Sequence, residues 1–301
     1  MRFSVETWAP EYGSPVEAEM DESTTAVDID AELSAGEWRP LDAAGPPADD
    51  VIFVDGVRRI DANVWIDDGS EPPTYGVCAS YAAGAVRCNG AAQIVDAKVD
   101  RGLFTAGRSA EAIETRHGRY EVVATVGSAP EDLWIGIQKR MGVLEGIVSA
   151  GLDGSGLVVV DGPLSHHQHV KGAIGYVKTQ HVHHLPAEVR PILRSLPVGR
   201  RTPVFVMGGA RQVYSWYLRL SSVGGVMSGV VRCEVAAMGT VTDVIGLAGR
   251  VTATLPRFAS HEHKDPRAPQ NLYPIGGLER ELRRRLGDQM LMYRALRRAA
   301  H

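Results

Sequence analysis

The sequence predicts an α/β fold, a mixed β-sheet flanked by helices, on three observations. Short apolar, largely β-branched runs recur from Val51 onward, and strand, helix and strand alternate between Leu133's neighbourhood and Val160. An apolar stripe with an arginine-rich reverse side closes the chain.

Taken in order, Val51-Ile52-Phe53-Val54 is strand-like, Ile60 to Ile66 continues it with partial alternation, and Tyr75 to Val86 and Tyr120 to Val126 read as further strands. Pro130, Glu131 and Asp132 form a helix start, because proline loses no hydrogen bond there and acids complement the helix dipole. Leu133, Ile137, Met141, Leu144 and Val148 then recur every third or fourth residue, which makes the helix amphipathic. Gly151, Gly154 and Gly156 end it, and Leu157-Val158-Val159-Val160 is an apolar run too short for a helix, hence a buried strand. Pro186 to Ser195 predicts a short helix, Thr202 to Met207 a strand, and Val213 to Leu220 with Val230 to Val235 an antiparallel pair. Leu278, Leu282, Leu286, Tyr293 and Leu296 predict one long helix packed on the sheet, with Arg280, Arg283, Arg284, Arg285, Arg294, Arg297 and Arg298 on its other faces. No repeat of solenoid length is present. The expected organisation is an acidic extension or linker over 1–48, with little core and a breaker cluster at Ala43-Ala44-Gly45-Pro46-Pro47, followed by one α/β domain over 49–301.

A chain of 301 residues that is 44% apolar and 23% charged excludes general disorder. No run approaches the roughly 18 uncharged apolar residues of a membrane span, and the acidic start lacks the basic and apolar segments of a leader. The expectation is a soluble, non-secreted protein without a membrane partner. Cys78, Cys88 and Cys233 have neither CxxC nor zinc-type spacing, which argues against a disulfide framework or structural zinc and fits a cytoplasmic location. Residues 1–50 hold 13 acids against Arg2 and Arg39, so the remainder carries 30 basic against 23 acidic residues. That excess suits a polyanionic partner, although solvated surface charge produces the same count.

Val51-Ile52-Phe53-Val54-Asp55-Gly56 and Leu157-Val158-Val159-Val160-Asp161-Gly162 echo each other, each placing a carboxylate at the end of a buried strand. Singly, Asp-Gly after a strand is a turn signal. If the two strands are adjacent, the carboxylates converge and their repulsion calls for a proton or a divalent cation. Glu145 falls about 40° from Met141 on the intervening helix, inside the apolar stripe. Buried there, it needs either a basic partner such as Arg140 or a place with Asp55 and Asp161 around a metal. Three oxygen ligands suit Mg²⁺ or Mn²⁺ and metal-assisted phosphodiester hydrolysis, as in a nuclease or phosphatase. Lys178, in Tyr176-Val177-Lys178-Thr179, reads either as a phosphate contact or as a surface lysine.

The histidines His166, His167, His169, His181, His183, His184, His261 and His263 match no strong zinc motif. Phosphate-loop, dinucleotide-binding and GxSxG signatures are absent. Trp216, between Tyr214 and Tyr217, reads as strand packing or as a base-stacking surface.

A strand ending Val54-Asp55-Gly56, a helix with Arg140 and Glu145, a strand ending Asp161-Gly162-Pro163-Leu164, the Tyr176-Val177-Lys178-Thr179 segment and a late Tyr273-Pro274, in that order, resemble the NurA nuclease family over roughly residues 51–300. The resemblance implies a ribonuclease H-like fold and a Mn²⁺-dependent deoxyribonuclease, with Mg²⁺ as alternative, acting as 5′ to 3′ exonuclease and on single strands. It also implies a homodimer that works in DNA end processing with a HerA-type hexameric ATPase. By position it makes Asp55, Glu145 and Asp161 the metal ligands and Lys178 a catalytic neighbour. A histidine expected in the last helix is missing before His301, with Glu281, Asp288 or Asp265 as substitutes and Lys264, Arg267 and Asn271 as further candidates for site or substrate contacts. The alternatives are a catalytically degenerate subunit that binds DNA or the translocase, and a small-molecule phosphoesterase.

Overall fold

The computed structural model describes residues 21–300 apart from 24, 68–72, 153, 155, 165–169, 171, 179–181, 209–211, 222–226, 238 and 262–266. Its strands are β1 (Asp21–Glu22), β2 (Val27–Asp28), β3 (Val51–Ile66), β4 (Thr74–Cys88), β5 (Ala92–Thr105), β6 (Ile113–Thr115), β7 (Gly118–Ala124), β8 (Leu157–Asp161), β9 (Ile174–Val177), β10 (Val182–His183), β11 (Phe205–Met207), β12 (Val213–Arg219) and β13 (Val230–Ala236). Its α-helices are α1 (Pro130–Ala150), α2 (Ile192–Ser195), α3 (Val241–Thr254), α4 (Tyr273–Arg285) and α5 (Gln289–Ala299). Eleven strands form one mixed sheet in the order β2-β11-β12-β13-β9-β8-β3-β4-β5-β7-β6. The architecture is α/β, as the alternating pattern requires. Among the described residues no helix is long and apolar enough to cross a membrane.

Two compact units are distinguished, and the chain passes between them within β3. The first comprises residues 1–53, 87–92 and 153–276. Here β8 pairs in parallel with β9, whereas β9–β13, β12–β13 and β11–β12 are antiparallel. Trp216 and Tyr217 are fully buried in β12, so the packing reading of these aromatics holds and base stacking on Trp216 is excluded.

The N-terminal region corrects the expectation of little core. β2 pairs with β11, Ile29 is buried in a cluster with Leu193, Phe205 and Tyr217, and Glu32 forms a two-pronged ion pair with Arg201. The acids of this stretch are thus partly spent on structure, while 1–20 lie outside the described residues.

The second unit comprises residues 54–86, 93–152 and 277–301. The two runs read as separate parts of β3 join into one strand of 16 residues, so Asp55-Gly56 lies within a strand rather than at its end. Residues Val77 to Val86 of β4 are buried on both faces, and their small side chains allow close helix packing. A methyl added at Gly84 would lie 3.0 Å from Leu282 and 3.1 Å from Leu278 of α4. The predicted single C-terminal helix is two helices: Gly287 adopts φ +84°, a left-handed conformation that ends α4, and Asp288 caps α5 by accepting from Leu291 N at 2.8 Å. Arg59 closes the same joint by donating to Gly287 O at 2.6 Å. Strand β5 and, in the first unit, helix α3 carried no strong sequence signal.

Candidate metal centre

Asp55, Asp161 and Glu279 each present a carboxylate oxygen within 4.8 Å of the others. Asp55 follows four residues buried to 1% or less in β3 and is itself buried, because the strand that carries it is held in the middle of the sheet. Asp161 is the last residue of β8, and Gly162 turns the chain away at φ +99°. Glu279 stands on α4, whose neighbours Leu278 and Leu282 pack at Gly84. Two carboxylates at this separation repel by about 3 kcal/mol at an effective dielectric of about 20. A bound divalent cation removes that repulsion. The donor set is all oxygen, without Cys or His, so it fits a hard ion such as Mg²⁺ or Mn²⁺.

Lys178, just beyond β9, donates to Asp161 Oδ2 at 2.6 Å and to Asn271 Oδ1 at 2.8 Å. It is therefore not a surface lysine but a largely buried one, 9% exposed, beside one of the three carboxylates. Asn271 is fully buried, and the adjacent Gln270 accepts from the Tyr176 hydroxyl at 2.6 Å. The loop before Tyr273 thus does reach the functional region through Asn271. Lys264 and Asp265 lie outside the described residues.

Glu145 is buried on α1, and its Oε1 lies 2.3 Å from where a Cβ on Gly56 would stand. A side chain at position 56 would displace the Glu145 carboxylate and crowd Met141. Alternation along β3 sends Asp55 to the opposite side, the side that Arg59 shares and from which it reaches the end of α4. Glu145 is not among the three oxygens that converge. Arg58, on the Gly56 side, has its pKa lowered by burial, with the charges of Glu145 and Asp55 opposing that and Arg283 adding to it. Arg140, expected as the partner of Glu145, instead donates to the Tyr81 hydroxyl at 3.5 Å and lies 3.9 Å from Asp100.

The substitutes proposed for the missing histidine are corrected. Glu281 is ion-paired with Arg284 and Arg285, whose hydrogen bonds hold its carboxyl down to about 2, and Asp288 caps α5. The acid that α4 contributes is Glu279, which the sequence reading missed. The signal was present: Glu279 is four residues after Ile275 and three before Leu282, on the edge of the buried stripe, as Glu145 is on α1. Of the histidines, His261 bonds to the Tyr273 hydroxyl at 2.6 Å, and His184 is half-buried with its pKa pushed down to about 4. His166, His167, His169, His181 and His263 lie outside the described residues.

The fold and site define a protein with an α/β mixed sheet carrying an acidic triad able to coordinate a divalent cation. No protein-family model matches the chain, and no curated protein matches it either.

Proposed function

We propose that the chain is a divalent-metal-dependent nuclease, a Mn²⁺- or Mg²⁺-using deoxyribonuclease of the NurA kind with a ribonuclease H-like core, acting 5′ to 3′ on DNA ends and on single strands. The convergence of Asp55, Asp161 and Glu279 beside Lys178 carries this reading. The three carboxylates would hold the ion, which when bound supplies an activated water and neutralises phosphate charge. Lys178, whose ammonium is bonded to Asn271 and Asp161, would offer its charge to a phosphate oxygen that becomes more negative during in-line attack. Glu145 faces Arg58 and sets the charge balance behind the site. The arginines of α4 and α5, exposed on the surface, supply the positive potential that a nucleic acid requires. A homodimer and a HerA-type hexameric ATPase partner belong to the same proposal, and co-elution with such an ATPase tests them.

The deciding experiment is cleavage of end-labelled single- and double-stranded DNA with Mn²⁺, Mg²⁺ or EDTA, with Asp55→Asn, Asp161→Asn and Glu279→Gln as folded controls. A Mn²⁺-dependent ladder that all three substitutions abolish supports the reading. Metal and DNA binding without cleavage favours a degenerate subunit, and hydrolysis of a generic phosphodiester without DNA affinity favours a small-molecule phosphoesterase.

A further inference from the structure

Helix α1 buries Leu133, Ile137 and Met141 but leaves Trp134, its fifth residue, 47% exposed. Leaving a tryptophan in water forgoes much of its burial energy, so a half-exposed ring fixed in place by a partner is a feature to be explained. That partner is Arg58, whose guanidinium carbon lies 4.1 Å from the ring centroid of Trp134. Arg58 is held from behind by Met141, at 3.9 Å from its sulfur, and its Nε is buried with no hydrogen-bond partner among the described residues. The guanidinium is thus held on the ring by packing, with the charges of Glu145 and Asp55 also acting on it. One side of the indole is covered by cation, and the exposed remainder is a flat, electron-rich surface of the kind on which a nucleobase stacks.

The surroundings select the ligand. Arg58 lies three residues beyond Asp55, about 10 Å along β3 and with its side chain on the other side of the strand, so the seat would engage a nucleotide away from the one at the carboxylates. Arg283, exposed on α4, adds a like charge that Arg58 feels, so the local potential suits an anionic strand. The other candidate aromatics lack this setting. Trp216 is fully buried, and Trp65, 68% exposed, already packs at a tilt of 55° against Tyr75, ring centroids 5.1 Å apart.

We propose that Trp134, backed by Arg58, is a stacking seat for one unpaired base, which makes the enzyme selective for single-stranded or frayed nucleic-acid ends. The inference rests on the nuclease reading for its substrate class and on the Trp134–Arg58 geometry for the seat. A duplex, with its bases already stacked, cannot use the seat without paying for unstacking.

The test is binding of a fluorescein-labelled oligo-dT strand and of a matched duplex by anisotropy, in EDTA so that the carboxylate triad is silent, with cleavage in Mn²⁺ measured separately. Trp134→Ala should weaken oligo-dT binding about tenfold and duplex binding less than twofold. Trp134→Phe should recover most of the loss, and Trp65→Ala should change neither. Unchanged oligo-dT affinity in folded Trp134→Ala, alongside normal cleavage, overturns the seat and leaves the nuclease standing. Trp134-dependent binding by a protein that cuts nothing supports the seat and removes the nuclease. No binding of either DNA by the intact chain overturns both.

Discussion

Lys178 donates to Asp161 at 2.6 Å, so one of the three converging carboxylates already has a cation of the protein's own beside it. Asp161 ends β8 and Lys178 directly follows β9, its parallel partner, so the strand register sets where the two side chains meet. Lys178→Met should therefore act in two opposite directions. Metal affinity should rise by about two- to tenfold, because a competing charge has gone. Cleavage should fall by about a hundredfold, because the charge aimed at phosphate has gone too. Calorimetric titration with Mn²⁺ and the DNA assay read the two effects.

The ligand set separates Glu279 from its neighbours. Glu279→Gln and Asp55→Asn should each weaken Mn²⁺ binding at least about tenfold, since each removes a full negative charge from an all-oxygen site. Glu281→Gln, whose carboxylate is occupied by two arginines, and Glu145→Gln, which faces Arg58, should stay within about twofold. Equal loss in Glu145→Gln by Mn²⁺ spin-resonance titration would move Glu145 into the metal site.

Helix α4 carries Glu279 only as close to the sheet as Gly84 permits. Gly84→Ala brings a methyl to 3.0 Å from Leu282 and 2.9 Å from the Asp96 carbonyl, and the backbone cannot yield as a side-chain tip would. The expected result is a stability loss of about 1–3 kcal/mol in urea together with weaker Mn²⁺ binding. Retained metal affinity would show that α4 finds its place without this contact.

A second buried aspartate on β3 serves as a control for the first. Asp61 accepts from Ser80 Oγ, from the Tyr120 hydroxyl at 2.9 Å and from Arg59 Nε at 2.8 Å. Asp61→Ala leaves these donors and a guanidinium without their anion and should cost about 3–5 kcal/mol in denaturant unfolding. At a temperature where the variant is folded, its Mn²⁺ affinity should match that of the intact protein.

His184 gives the stability a pH dependence. Burial pushes its pKa down to about 4, with Arg232 adding to the effect and Glu234 opposing it. Unfolded, the ring titrates near 6.5, so between these values the unfolded chain binds the extra proton. The stabilisation is complete above about pH 6.5 and is lost as pH falls toward 4. Discounted for the solvent screening of a ring that is only half-buried, this is about 1–2 kcal/mol. Urea midpoints across pH 4 to 7 should slope less in His184→Gln, and an unchanged slope would assign the dependence to other groups.

Much of the frame was legible in the chain because it is written in local periodicity. The apolar spacing of Leu133, Ile137 and Met141 identifies α1, the run Leu157 to Val160 identifies β8, and the β12–β13 pair follows from two β-rich segments a hairpin's length apart. Asp55 and Asp161 were visible for the same reason, as charges at the edge of apolar runs. The break between α4 and α5 was missed because the stripe of leucines continues through it, while Gly287 and Asp288 change only the backbone.

What the sequence by itself determined is therefore most of the strand and helix repertoire, two aspartates whose convergence calls for a proton or a cation, and a basic C-terminal surface. The tertiary structure decided which third acid joins them. Glu145 and Glu279 are indistinguishable by pattern, each an acid on the edge of an apolar helical face. Gly56 opens one side of β3 to Glu145, Gly84 lets α4 pack closely, and of these two glutamates it is Glu279 whose oxygen comes within 4.8 Å of Asp55 and Asp161. Convergence is a property of distance, and distance between residues more than a hundred positions apart is set by packing that no local pattern encodes.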